Sequence, residues 1–191
     1  MLRSDECPPG DETLSMPESA VDTLIPAWED GRLQPVDKLA VHQRGLRHRA
    51  VSVFVLRGHK LLIQQRAAQK YHTPGLWANT CCTHPHWDEA PADCARRRLK
   101  EELGITGLDL QPRGQIEYRA DVGGGMIEHE VVDLFLARPD HAPRIAPDPA
   151  EVAQVAWVDL TTLQDRIAAE PDQFTPWLRI YMAQHLPLIL G

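Results

Sequence analysis

Two glutamates, Glu128 and Glu130, stand two residues apart in a stretch that reads as a β-strand. Their side chains should point to the same face, and neighbouring carboxylates repel unless a cation or a proton lies between them. Imidazole and carboxylate groups are common ligands of divalent metals, and a mixed set suits a five- or six-coordinate ion better than tetrahedral zinc. The alternative is a solvated strand face with unrelated histidines. The candidate ligands are His42, His48, His84, Glu128 and Glu130.

Arg98 and Glu102 stand four residues apart in a helical stretch and therefore share one helix face. Glu102 could bind Mg²⁺ while Arg98 binds a phosphate, because Mg²⁺ commonly combines one or two carboxylates with substrate phosphates. The guanidinium group also matches two phosphate oxygens at once. The alternative, which the spacing alone favours, is a surface ion pair worth about a few tenths of a kcal/mol.

The stretch from residue 66 to residue 84 carries cations, a turn and two adjacent cysteines. Arg66 and Lys70 lie where a strand passes into a loop, and Gly75 permits a tight turn. In extended backbone, Cys81 and Cys82 point to opposite sides, so only one of them can face a given pocket. A buried, inert side chain is the alternative for either thiol.

Two aromatic residues, Tyr118 and Trp177, admit two interpretations. Core packing is the ordinary one. An electron-rich ring face beside a positive charge is the functional one.

These groups require strands and helices that bring them together. The sequence predicts strands over 49–56, 60–65, 115–120, 127–136 and 152–158, and helices over 38–42, 90–103, after Asp159 and from Thr175–Pro176. Residues 70–85 read as loop or irregular strand. Interleaved strands and helices favour an α/β (α+β) fold with a mixed sheet packed between helices.

Length and composition suit one domain over 21–191 behind a disordered acidic tail over 1–20. A net charge of −7 argues against nucleic-acid and membrane-surface partners, and no apolar run is long enough to cross a membrane. Four scattered cysteines form neither a disulfide framework nor paired zinc knuckles. We therefore expect a cytoplasmic protein, either a monomer or a weak homodimer.

Taken together and in order, these pieces resemble the type I isopentenyl-diphosphate delta-isomerases, a branch of the Nudix-like fold. The resemblance covers about Val21 to Trp177 and is carried by four pieces. They are LWANTCCTHP at 76–85, EHE at 128–130, KLAVH at 38–42 with LRH at 46–48, and FTPW at 174–177.

The resemblance implies a role for each matched residue. The implied catalytic groups are Cys82, Glu130 and Tyr118. The implied ligands of a divalent ion (Mn²⁺, Zn²⁺ or Mg²⁺) are His42, His48, His84, Glu128 and Glu130, and Glu102 would hold a Mg²⁺ that accompanies the diphosphate. The implied substrate-binding residues are Lys38, Arg66, Lys70, Arg98 and Trp177. The implied reaction interconverts isopentenyl and dimethylallyl diphosphate for isoprenoid biosynthesis, through protonation of the alkene to a tertiary carbocation.

Departures from the broader Nudix pattern bear on the alternatives. Glu89, Arg97, Glu101, Glu102 and Gly104 stand at Nudix-box positions, but Thr83 replaces the first glycine and Arg98 replaces a glutamate. A guanidinium in place of a carboxylate should weaken metal binding there, which argues against the main rival, a hydrolase of a nucleoside diphosphate derivative. A diphosphate-binding or metal-sensing module without catalysis is the second rival.

Overall fold

The computed structural model describes residues 23–191, so the predicted tail lies outside the described residues. The strands are β1 (Leu24–Glu29), β2 (Arg32–Asp37), β3 (His48–Arg57), β4 (Lys60–Arg66), β5 (Trp77–Ala78), β6 (Cys81–Thr83), β7 (Gln111–Gly123), β8 (Met126–Ala137) and β9 (Val152–Asp159). The helices are α1 (Lys38–Arg44), α2 (Pro91–Leu103), α3 (Leu160–Ala169), α4 (Pro176–Ile180) and α5 (Leu186–Leu190). A π-helix, Tyr181–His185, joins the last two, and a 3₁₀ turn, Pro171–Gln173, precedes them. Within these residues no helix has the length and apolar character that a membrane span requires.

Strand β3 organises a mixed sheet. It runs parallel to β8 and antiparallel to β1, β4 and β6, while β7 and β8 form an antiparallel hairpin. The predicted α/β architecture, a mixed sheet packed between helices, is confirmed.

The registers of this sheet bring distant residues side by side. Glu130 on β8 is paired with His48 on β3 and with Tyr118 on β7. Cys82 on β6 is paired with Ser52 on β3. Because Cβ atoms of directly opposed residues lie about 5 Å apart, the strand pairing alone fixes the neighbours of both the carboxylate and the thiol.

Apolar side chains of β3 alternate between two cores on opposite faces of the sheet. Val51, Val53 and Val55 pack in a cluster with Leu99 of α2. Phe54 points the other way, into a cluster with the C-terminal helices. Both faces of the strand are buried, which explains its nearly continuous apolar sequence.

Helix α2 begins and ends where the sequence predicts. Pro91 occupies its first turn, and Gly104 ends it in the left-handed region at φ +65°. Ala95, Leu99 and Leu103, spaced four residues apart, are buried on one face of the helix. At the start of α1, the Asp37 side chain accepts a hydrogen bond from the Ala40 N–H at 3.0 Å and so caps the helix.

A matched pair of glycine substitutions tests the end of α2. Gly104 and Gly107 both have positive φ, but a Cβ at Gly104 would meet the Ala146 carbonyl oxygen at 2.9 Å, whereas at Gly107 it would meet open space. We expect Gly107→Ala to cost about 1–2 kcal/mol of unfolding free energy and Gly104→Ala to cost clearly more. Urea unfolding of both variants measures the difference, and equal losses would contradict the predicted clash.

Candidate active site

The central carboxylate is Glu130, which is almost fully buried. The Tyr118 hydroxyl donates a hydrogen bond to Glu130 Oε2 at 2.6 Å. On the other side, His84 Nε2 lies 3.0 Å and His48 Nε2 lies 3.8 Å from Glu130 Oε1. The strand face at 128–130 is therefore an interior site and not a solvated surface.

Backbone contacts aim two of the histidines at this site. His42 Nδ1 lies 2.5 Å from the Lys38 carbonyl oxygen, and His48 Nδ1 lies 2.7 Å from that of Leu46. When Nδ1–H donates to a carbonyl, Nε2 carries the free lone pair. Both Nε2 atoms face Glu128, at 3.6 Å for His42 and 3.7 Å for His48. Metal-binding histidines are commonly held in this way.

The resulting cluster could hold a metal ion. His42, His48, His84 and Glu128 each offer a ligand atom, and these atoms lie within 4.8 Å of one another. Glu130 Oε1 adjoins the group through His84. Among the described residues, His42 Nε2 and Glu128 Oε2 are buried without a hydrogen-bond partner. A cation bound between them would satisfy both, so the residues fit the predicted group.

Burial and hydrogen bonds shift the pKa of three groups in this cluster, and a metal ion bound to His48 would displace its proton. Burial lowers the pKa of His84 well below its ordinary value, which leaves it neutral. Burial also lowers the pKa of His48, but hydrogen bonds to Glu128 and Glu130 outweigh it and raise that pKa to about 9. Burial raises the pKa of Glu130, and hydrogen bonds with its neighbours more than reverse the shift. The site thus contains ionised carboxylates with compensating positive charge.

The two adjacent cysteines face opposite sides, as predicted. Cys81 is fully buried in the core beneath α2. Cys82 faces the other side and lines a small cavity together with Glu130. Burial, followed by the nearby charge of Glu130, raises the pKa of the Cys82 thiol well above its ordinary value. Cys82 is therefore the cysteine that can act on a molecule in this cavity, and it is protonated there.

Cations and an indole ring complete the wall of this cavity. Lys38, Arg66, Lys70, Arg98 and Trp177 all line it. The cavity has a volume of about 20 Å³, roughly room for one water molecule. A surface groove of about 550 Å³ beside residues 105–110 is larger but contains none of these groups.

Within residues 23–191, two of these cations have no carboxylate at ion-pair distance. The Arg66 guanidinium donates to the His72 carbonyl oxygen at 3.1 Å and lies over the Trp177 ring at 5.3 Å from its centroid. Burial, with repulsion from Lys70 and Arg98, lowers the pKa of Lys38 to about 8. Positive charge is thus concentrated at a site where an anion would stabilise it.

The other two cations are paired with carboxylates. Arg98 Nη2 lies 2.6 Å from Glu102 Oε1 and 3.3 Å from Glu151 Oε1, and Lys70 also pairs with Glu151. Glu102 is buried and accepts a second hydrogen bond from Gln64 at 2.9 Å. The simple surface ion pair that the spacing favours is therefore wrong for Arg98 and Glu102, because both lie in the cavity wall.

Sequence reasoning missed several residues in or beside the site, among them Ser52, His72, Glu151 and Tyr181. Ser52 has a visible signal, a lone hydroxyl in the apolar run AVSVFVL. The imidazole of His72 lies 3.2 Å from Glu128 Oε1, but nothing in the spacing of His72 predicts this contact. Glu151 lies in a loop and pairs with Arg98, and Tyr181 lies in a helix and contacts Ser52, so only folding brings them next to the site.

Comparison with known proteins agrees with this fold. The NUDIX domain model matches residues 46–178. Among solved structures, DR0079 from Deinococcus radiodurans superposes with a TM-score of 0.66 at 18% identity over 83% of this chain and 96% of that chain. A MutT NUDIX hydrolase from Burkholderia pseudomallei gives 0.56 at 22% identity over 73% and 98%. The chain therefore belongs to the Nudix domain family.

Relatives of higher sequence identity show to which branch of the Nudix family the chain belongs. A protein of Dinoroseobacter shibae named isopentenyl-diphosphate Delta-isomerase is 66% identical over 88% of this chain and 96% of its own length. Proteins of the same name from Cereibacter sphaeroides and Rhodobacter capsulatus are 63% and 60% identical, over 88% and 87% of this chain and 95% and 94% of theirs. Within the Nudix family, the chain belongs to the isopentenyl-diphosphate Delta-isomerases.

Metal titration tests the histidine–glutamate cluster. We expect Mn²⁺, Zn²⁺ or Mg²⁺ to raise the melting temperature, since an ion at about 100 times its Kd stabilises the folded state by about 2.7 kcal/mol. Glu128→Gln removes an anionic ligand and should weaken the affinity by at least about tenfold. His129→Ala is the matched control, because His129 lies in the same strand and faces Glu117, 3.1 Å away. Unchanged affinity in Glu128→Gln would exclude the cluster as the metal site.

Proposed function

We propose that this protein interconverts isopentenyl diphosphate and dimethylallyl diphosphate by protonation and deprotonation, and so supplies isoprenoid biosynthesis. The observation that carries the proposal is the shared cavity, in which Cys82 and Glu130 meet beside a group of cations. Relatives that are 60–66% identical over most of the chain have the name of this activity.

The chemistry requires an acid, a base and little water. A carboxylate cannot remove a proton directly from an unactivated C–H bond, so addition of a proton to the alkene comes first and produces a tertiary carbocation. One of Cys82 and Glu130 gives this proton, and the other removes one from the opposite face of the five-carbon chain. Both groups are largely shielded from solvent, which protects the cation from capture by water.

Aromatic neighbours assist these two groups. The face of Trp177 can stabilise a developing cation by up to about 2 kcal/mol in a desolvated site. Tyr118 holds the Glu130 carboxylate through the hydrogen bond at 2.6 Å. Its O–H thereby orients one carboxylate oxygen and leaves the other towards the histidines.

Divalent ions would act at two places. His42, His48, His84, Glu128 and Glu130 would hold Mn²⁺, Zn²⁺ or Mg²⁺, and this ion would make a carboxylic acid at Glu130 a stronger acid. Glu102 would hold Mg²⁺ together with the diphosphate. We assign both ions from the ligand chemistry of these side chains.

The basic residues suit a small diphosphate as the partner, as opposed to a nucleic acid. Lys38, Arg66, Lys70 and Arg98 meet at one cavity in a chain whose net charge is −7. A phosphate group would compete with Glu102 and Glu151 for Arg98. By binding the diphosphate, these cations fix the position of the alkene.

Substrate binding requires this site to widen. A cavity of about 20 Å³ is far below the roughly 300 Å³ or more of ordinary ligand pockets. Tyr71 lines it and has 41% of its surface exposed, so this ring can move without disrupting the core.

Hydrolysis is the rival activity, and the wall of the cavity disfavours it. A hydrolase needs a carboxylate cluster that holds metal and activates water. Here Arg98 occupies one box position and forms an ion pair with Glu102. Phosphate release from nucleoside diphosphate derivatives, without isomerisation, would establish the rival.

The two cysteines provide a direct test of catalysis. Cys82→Ala removes the thiol from the cavity, and we expect kcat to fall by about 10²- to 10⁴-fold with the fold intact. Cys81→Ala leaves the cavity unchanged and should retain kcat within about threefold while losing some packing stability. Proton NMR of isopentenyl diphosphate with Mg²⁺ measures turnover, and melting curves report folding. Reversed effects would show that the wrong member of the pair has been assigned.

Heavy water tests the order of the chemistry. Protein equilibrated in D₂O exchanges its acidic protons, so a single turnover should place one deuterium in the methyl group formed from the terminal alkene carbon. Mass spectrometry of dimethylallyl diphosphate, made with enzyme in excess over substrate, measures this label. Product without deuterium would exclude protonation by the enzyme.

A further inference from the structure

Residues 138–151 join β8 to β9 without forming a helix or a strand. A connection of this length in a compact domain is usually functional or disordered, and this one is fixed on two sides. The Ala146 N–H donates to the Leu103 carbonyl oxygen at 2.8 Å, which ties the segment to the end of α2. The Ala67 N–H donates to the Glu151 carbonyl oxygen at 3.0 Å, which ties it to the loop after β4. The segment therefore bridges that loop and helix α2.

The side chain of Glu151 lies between two cations that line the cavity. Its Oε1 atom lies 3.3 Å from Arg98 Nη2, and its Oε2 atom pairs with the Lys70 ammonium group. The two cations come from different segments, since Arg98 belongs to α2 and Lys70 to the loop after β4. Glu151 does not itself line the cavity. It therefore contacts both cations from outside the space that a ligand enters.

The two cations need such a partner to stay side by side. Like charges at short distance repel each other, and Lys38 and Arg66 add further positive charge to the same cavity wall. The Lys70 ammonium also ends a flexible four-carbon stem. Ordering a side chain of this kind on binding lowers affinity, so a carboxylate that holds both cations in advance favours binding of an anion.

We propose that Glu151 is a positioning residue of the diphosphate site, which holds Lys70 and Arg98 side by side so that both can bind one diphosphate. This inference rests on the proposed function, because it assumes that these cations bind the substrate. Glu151 acts through the two cations and touches no atom of the substrate.

A bound diphosphate does not have to displace Glu151. A guanidinium has five N–H donors and an ammonium has three, so each cation can keep its contact with Glu151 while it donates to phosphate oxygens. Glu101 and Glu102 pair with Arg98 along its own helix, at 2.9 Å and 2.6 Å. Glu151 reaches Arg98 from another segment. Without Glu151, the guanidinium is drawn towards α2, and Lys70 loses its ion pair.

Simple competition is the alternative role for this carboxylate. Glu151 carries a negative charge beside the two cations and repels an anion that arrives there. If competition dominates, removal of the charge tightens the binding of an anion. If positioning dominates, removal of the charge weakens it. The two effects have opposite signs, so a binding measurement separates them.

Glu151→Gln keeps the size of the side chain and removes its charge. We expect the Kd for inorganic pyrophosphate, measured by calorimetry in the presence of a chelator, to rise by at least about fivefold, because two side chains must then be ordered on binding. In the isomerase assay, KM for isopentenyl diphosphate should rise by a similar factor. The value of kcat should stay within about threefold, since the groups that transfer protons are untouched.

Glu101→Gln is the matched control, because Glu101 also pairs with Arg98 but lies on the same helix. It removes one competing charge and leaves Glu151 in contact with both cations. We expect pyrophosphate to bind this variant as tightly as the parent or slightly more tightly. Glu151→Asp is the second test variant. It keeps the charge but shortens the side chain by one methylene group, so its Kd should rise by at least about twofold. Melting curves report the folding of each variant.

Several results would overturn the positioning role. They are a lower or unchanged Kd for pyrophosphate in Glu151→Gln, equal rises in Glu151→Gln and Glu101→Gln, an unchanged Kd in Glu151→Asp, and a loss of kcat without a rise in KM. Failure of the parent to bind pyrophosphate or to isomerise isopentenyl diphosphate would instead refute the proposed function, so the two failures are distinguishable.

Discussion

Two carboxylates buried side by side on one strand are the constraint on which the site depends. Glu128 and Glu130 are almost inaccessible to solvent, and ionised groups are stable there only with compensating charge and hydrogen bonds. Four histidines and Tyr118 surround them, each from a different segment of the chain. The pairing of β8 with both β3 and β7 is therefore a requirement of the chemistry as well as of the fold.

The two faces of this sheet place the adjacent cysteines in different environments. One face packs beneath α2 and contains Cys81, an apolar environment in which a thiol is inert. The other face carries Cys82 towards the cavity and its carboxylates. Since successive residues of a strand point to opposite faces, one step along β6 decides whether a cysteine packs in the core or faces the cavity.

One residue of helix α2, Arg98, distinguishes this protein from a Nudix hydrolase. Helix α2 keeps carboxylates at Glu101 and Glu102, and Arg97 pairs with Glu89 at 2.7 Å, so the local scaffold is intact. Arg98 supplies a guanidinium where a metal-binding carboxylate would stand. This change favours binding of a diphosphate over activation of water.

The sequence by itself determined strands β3, β4, β8 and β9, the middle of β7, helix α2 and the groups able to do chemistry, because periodicity and residue type are local properties. It also predicted that Cys81 and Cys82 face opposite sides, although spacing alone favoured a surface location for Arg98 and Glu102. Only the tertiary structure decided that Ser52, His72, Glu151 and Tyr181 belong to the site. Their positions depend on strand register and helix docking, which arise from packing between distant segments and leave no periodic pattern along the chain.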